Sequence, residues 1–245
     1  MTTQTTPLRS RALGALLIAD ALLAFAPVAI LAPAIGWPAS LGKPAAEQLG
    51  AIAAAPGAVL AGYSLYLLYS VLMAPLMIGL AARLSGGLAS PLGMTVAAFA
   101  ALSALARSIG ILRWLTVMPA LATARTGADA DATTQAQIDT VFNAINRYGG
   151  GIGEVLGVSL FMALALGLLC VGTLLHGGLP RWLSGLGLVS ALALGGLSLP
   201  VFGGPTVVPV AAAVSLLSLW MLAAGVQMMW PVRPVLPVLP VLPVR

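Results

Sequence analysis

Six runs of mostly apolar residues, at 12–35, 57–82, 91–118, 149–176, 182–202 and 207–230, account for most of the chain. A helix crosses the hydrocarbon core of a bilayer in roughly 20 residues, and every backbone N–H and C=O inside that layer must be satisfied within the protein. Runs of this length therefore predict an all-α, polytopic membrane bundle of about six transmembrane helices. Composition agrees. Sixty per cent of the 245 residues are hydrophobic and 7% charged, with a mean hydropathy of +1.06, whereas about a quarter of a soluble domain is charged.

Several classes of function are excluded at this level. The net charge of +5 comes from basic residues scattered singly, with no basic patch to follow a phosphate backbone, so no nucleic-acid partner is expected. Cys170 and His176 are the sole residues of their types, which leaves no metal-ligand spacing, and no cofactor motif is present. An intramembrane acid–base enzyme built on Glu154 is not excluded and stays the third alternative; it needs a second well-placed group that the sequence does not identify, so a noncatalytic role is expected first.

Taken in order, residues 1–11 read as a cytoplasmic N-terminal segment, 12–230 as a membrane domain and 231–245 as a Pro-rich cytoplasmic tail built on Val-Leu-Pro. A secretory signal ending at Ala24-Phe25-Ala26 is the rival reading of the first run. Asp20 inside that run and Pro27 after it argue instead for a retained span. Gly36 to Pro56 reads as an interfacial loop with three prolines. The third span is alanine-rich, carries Arg107 and Arg113, and should end near Pro119. The polar stretch from Ala120 to Tyr148 contains a loop at Gly127–Asp131, and Thr134 with Gln137 fits a capping box for an amphipathic helix before the fourth span. Six spans put Arg9, Arg11, Arg83, Arg181, Arg233 and Arg245 on one side, against Lys43, Arg125 and Arg147 on the other. The positive-inside rule then predicts that both termini are cytoplasmic. Trp37, Trp114, Trp182 and Trp230 fall at span ends, where headgroup-level rings sit.

The candidate site follows from helical spacing. Asp139, Asn143, Asn146, Arg147, Gly150, Glu154 and Gly157 recur at intervals of three or four, which places them on one face of a continuous helix running from water into the membrane. Intramembrane charges are costly and point to function. Depth along the spans sets Glu154 level with Arg107 and Arg113 nearer the outer surface. The expectation is one outward-facing polar pocket of Arg107, Arg113, Asp139, Asn143, Asn146, Arg147 and Glu154. Asp20 and Tyr69 form a second, deeper polar pair of positions. Gly149, Gly153 and Gly157 make a small-residue ladder suited to close helix packing. Such a pocket would take a small polar or anionic solute, or pass a proton. The plainer alternative is a static Arg107–Glu154 ion pair locking two helices, with Asp20 hydrogen-bonded to a tyrosine. Besides the bilayer itself, another copy of the chain is a candidate partner.

Three segments carry a family resemblance: ILRWLTVMPALA at Ile111–Ala122, VFNAINRYGGGIGEVLG at Val141–Gly157 and LPRWLSGLGLV at Leu179–Val189. In order and six-span layout the chain resembles a bacterial multi-pass membrane family catalogued as domain of unknown function four-three-eight-six. Arg113, Asn146, Arg147, Gly153 and Glu154 are matched motif positions. Ser184, where the family more often has glycine, and the Val-Leu-Pro tail depart from the pattern. The resemblance implies a prokaryotic cytoplasmic-membrane protein and supplies no activity.

Overall fold

The computed structural model describes residues 7–229, with side chains from Arg11 onward. The start of the N-terminal segment, the Val-Leu-Pro tail and Trp230 lie outside the described residues. Those described are mostly helical, without strands, in ten α-helices, one π-helix and three short 3-10 helices. The α-helices are α1 (Pro7–Leu23), α2 (Ala26–Ile35), α3 (Ala45–Ala54), α4 (Pro56–Ala81), α5 (Pro91–Leu115), α6 (Val117–Thr126), α7 (Ala132–Gly150), α8 (Met162–His176), α9 (Arg181–Gly196) and α10 (Val210–Met229); the π-helix is Gly151–Phe161.

Five helical segments are long and apolar enough to cross a membrane: Arg11–Ile35, Pro56–Ala81, Pro91–Thr126, Ala132–His176 and Val210–Met229. The fifth run of the sequence yields only α9, 16 residues long, so five of the six expected spans have helices of spanning length and the sixth is a shorter rod. These rods pack in a closed ring that follows chain order, α1 against α4, α4 against α5, α5 against the π-helix and α8, α8 against α9, α9 against α10, and α10 back against α1. Elements consecutive in the chain tend to pack side by side, and α10 against α1 closes the ring.

Two apolar cores result. One fills the ring, with Leu17, Met73, Leu76, Met162, Leu166 and Trp220 fully or almost fully buried. The Trp220 indole donates to Leu183 O at 3.0 Å, and the Thr173 and Ser184 hydroxyls hydrogen-bond at 2.8 Å, tying α10 and α8 to α9. The second core lies at one end, under a cap of α3, α6 and α7, and holds Leu31, Leu49, Ile52, Tyr63, Trp114, Met118 and Phe142. Trp114 is therefore a core residue, stacked on Tyr63 at 4.9 Å and edge-on to Phe142, and not the headgroup anchor its position in the sequence suggests.

Four other features depart from the sequence reading. The first run is broken at Ala24-Phe25, because Pro27 lacks an N–H and its ring crowds the carbonyl four residues back. Gly36–Pro56 contains the ten-residue helix α3 rather than a loop. The helix of the third span ends just short of Pro119, at Leu115, but the chain resumes as α6 with Pro119 in its first turn, where a missing N–H costs nothing. The cap of α7 is Asp131, whose carboxylate accepts the Thr134 N–H at 2.7 Å, so Thr134 is a donor in the first turn and not the capping residue of a Thr134–Gln137 box. That hydrogen bond holds the Asp131 carboxyl below its ordinary range.

Candidate functional site

The polar residues expected in one pocket are divided among three places. At the tip of the cap, Arg125 Nε and Nη2 reach the two carboxylate oxygens of Asp139 at 2.7 and 3.3 Å, a bidentate pair joining α6 to α7. Asn143 and Arg147 are exposed on α7. Neither is brought to another member of the predicted set.

The second place is the junction of α5 with the end of α7. Arg113 Nε donates to Asn146 Oδ1 at 3.3 Å, Nη1 donates to Gly110 O at 2.5 Å, and Nη2 stands 3.7 Å from Glu154 Oε1. Its guanidinium also lies 5.3 Å from the centre of the Trp114 ring. The Arg113 side chain is 8% exposed and that of Glu154 64% exposed. Glu154 thus pairs with Arg113 and not with Arg107, and its carboxylate points out of the bundle.

The third place is the interior. Arg107 is 3% exposed and Asp20 1% exposed. The Arg107 guanidinium carbon lies 4.7 Å over the ring of Tyr69, a cation–π arrangement. Asp20 lies within electrostatic reach of Arg107, as do the phenols of Tyr66 and Tyr69. Both Asp20 carboxylate oxygens, Arg107 Nε and Nη1, the Tyr69 hydroxyl and the Ser70 hydroxyl are buried without a hydrogen-bond partner. The expected hydrogen bond from a tyrosine to Asp20 is therefore not made. Asp20 occupies the last turn of α1, just before the break forced by Pro27, while Tyr66, Tyr69 and Ser70 follow one another on α4.

The π-helix connects the second place to the third. Its wider i→i+5 turn removes the 3.6-residue phase on which the predicted stripe depended, so Glu154 emerges outside while Gly149, Gly153 and Gly157 face α5. A Cβ added at Gly149 would lie 2.7 Å from Arg113 Cδ, at Gly153 3.0 Å from the Cα of Gly110, and at Gly157 2.6 Å from Arg107 Cγ. The Ser103 hydroxyl donates to Gly157 O at 2.7 Å in the same seam. Each arginine is thus backed by a glycine of the neighbouring helix, and no larger residue would leave room for either side chain.

Tyr66 and Ser70 are not among the site positions expected from the sequence; their signal is a polar atom beside Tyr69 on α4.

The ring of apolar helices around a buried polar cluster defines an all-helical protein of the membrane-spanning class. The chain belongs to the family described as Domain of unknown function (DUF4386), whose model matches residues 12–225. No curated protein and no solved structure matches it.

Proposed function

We propose that the chain is a noncatalytic multi-pass protein of a bacterial cytoplasmic membrane, crossing six times with both termini cytoplasmic, and that it binds a small polar solute at the Asp20–Arg107 cluster, as a transporter of such a solute would. The observation that carries this reading is the set of buried atoms without partners. A buried polar group left unpaired costs about 1–3 kcal/mol, more when charged, and native interiors hold few of them. Here six such atoms lie on Asp20 of α1, Tyr69 and Ser70 of α4 and Arg107 of α5, and Arg107 faces both Tyr69 and Asp20. They comprise acceptors on Asp20, donors on Arg107 and hydroxyls able to do either, which suits a ligand carrying both donor and acceptor groups.

The topology is supported by the distribution of arginines between the two sides and by the ring, in which α9 completes a circuit of six rods. It is tested by single cysteines. Arg125→Cys should be modified by an impermeant maleimide from outside whole cells, and Arg83→Cys only after permeabilisation. The solute site is tested by the thermal stability of purified protein across a panel of small zwitterionic, anionic and neutral polar solutes. The expected result is stabilisation by one class in the wild type and none in Asp20→Asn or Arg107→Met. Equal responses in wild type and both variants would assign the cluster a purely structural role.

A further inference from the structure

A second site lies on the outside of the ring, separate from the interior cluster. Between α5–α6 and the junction of α7 with the π-helix runs a groove of about 420 Å³, lined by Ile109, Leu112, Val117, Ile145 and Ile152, with Arg113 among them. It is an open groove on the surface of the ring and not an enclosed pocket. Ile109 and Leu112 are about half exposed, and Tyr148, also on the lining, is 75% exposed. In a membrane-spanning helix such side chains face lipid, so the apolar part of the groove is a bed for hydrocarbon.

The charges at this groove make the occupant more specific. Two of the Arg113 nitrogens are hydrogen-bonded, to Asn146 and Gly110 O, whereas Nη2 stands 3.7 Å from Glu154, beyond hydrogen-bonding length. The Glu154 carboxylate is largely open. The groove therefore has on its lining a guanidinium whose Nη2 makes no hydrogen bond, with one accessible carboxylate 3.7 Å from it. A phosphate satisfies the first and a primary ammonium the second.

We infer that this groove is a binding site for a phospholipid with a phosphoethanolamine headgroup, its phosphate on Arg113, its ammonium on Glu154 and one acyl chain along Leu112, Ile145 and Ile152. A diacylglycerol phosphate without the amine leaves Glu154 facing a phosphate. A choline headgroup brings a cation that cannot donate hydrogen bonds. The site thus ranks ethanolamine lipid above both.

Native mass spectrometry of the purified full-length protein tests this with phosphatidylethanolamine, phosphatidylglycerol and phosphatidylcholine of identical chains. The expected result is retention of the ethanolamine lipid over the other two. Arg113→Gln should lower its retention about tenfold, the loss of one charge-assisted contact. Glu154→Gln should abolish the preference for ethanolamine over choline. Leu112→Trp, at a half-exposed position that leaves the charges intact, should reduce retention of all three lipids and decides the matter even where Arg113→Gln fails to fold. Equal retention of the three lipids by wild type overturns the proposal, as does unchanged retention in Leu112→Trp. A dimer that Leu112→Trp splits without changing lipid retention would give the groove to a second copy and overturn it as well.

Discussion

Arg107 and Arg113 stand about two turns apart on α5, both almost fully buried, yet their surroundings solve the problem of a buried cation in different ways. Arg113 is surrounded by ordinary partners, an amide oxygen, a backbone carbonyl and a carboxylate open to the outside. Arg107 has a tyrosine face, with phenols and a carboxylate within electrostatic reach, and its Nε and Nη1 have no hydrogen-bond partner. The first arrangement is that of a helix junction. The second leaves buried polar atoms without hydrogen-bond partners, so one helix holds two buried arginines in unlike surroundings.

The largest effect is expected where the contrast is greatest. Arg107→Leu leaves Asp20 buried without its cation, and Asp20→Leu leaves Arg107 buried without its anion. Removal of one partner of a buried pair costs about 3–5 kcal/mol. Each single variant should therefore lose stability on that scale in detergent, and Asp20→Leu/Arg107→Leu should regain most of it. A double-mutant cycle measures the coupling. Additive losses would mean that Asp20 and Arg107 do not share one electrostatic environment, and the interior would then resemble the junction more than we hold.

Next in size is the seam between the two arginines. Gly110 faces Gly153, and a Cβ at Gly110 would lie 2.6 Å from the Gly153 Cα and 3.0 Å from Gly149 O, all backbone. Overpacking of this kind costs about 1–3 kcal/mol, so Gly110→Ala should fall in that range and Gly110→Val above it. Because Arg107 and Arg113 both lean on the same helix, Gly110→Ala should also weaken binding at the interior cluster and at the groove. A stable variant with both intact would show that the two sites do not depend on the close approach of α5 to the π-helix.

A smaller effect is expected at the open end of the comparison. Glu154→Gln removes an ion pair whose carboxylate is 64% exposed, and exposed pairs contribute about 0–1 kcal/mol. Its thermal stability should stay close to wild type, in contrast to Asp20→Leu. A loss as large as that of Asp20→Leu would make Glu154 a buried structural charge.

How much of this could be read in advance depends on the kind of signal. Hydropathy places the rods, because the membrane's demand for satisfied backbone leaves little else for a long apolar run to do. The glycines of Gly149–Gly157 are visible as a ladder, since the backbones of two helices can approach this closely only where side chains are absent. What was not legible is rotational phase. Depth alone set Arg107 level with Glu154, but the π-helix turns Glu154 outward, and nothing in GGGIGEVLG announces an i→i+5 helix. Pro119 marks the end of the third span but does not announce α6, since the same residue ends a helix or opens one according to which turn it occupies. Asp20 was visible as a charge in an apolar run, while its meeting with Arg107 depends on the ring closing α1 against α4.

The smallest expected effect lies at the water-exposed start of α7. Asp131 caps that helix through the Thr134 N–H, and the hydrogen bond holds its carboxyl below the ordinary value of 3.8. A carboxyl depressed on folding contributes stability that is fully present above its unfolded value and disappears as the pH falls through its folded one. Wild-type protein should therefore lose a little thermal stability on acidification below about pH 4. Asp131→Asn keeps an N-cap acceptor without the titration, so it should sit near wild type at neutral pH and lack that part of the acid loss. Asp131→Ala removes the acceptor and should lie below both at neutral pH, parallel to Asp131→Asn as the pH falls. If the acid loss survives unchanged in Asp131→Asn, its source is another carboxyl, and the bidentate Asp139–Arg125 pair on the same helix is the one to remove next.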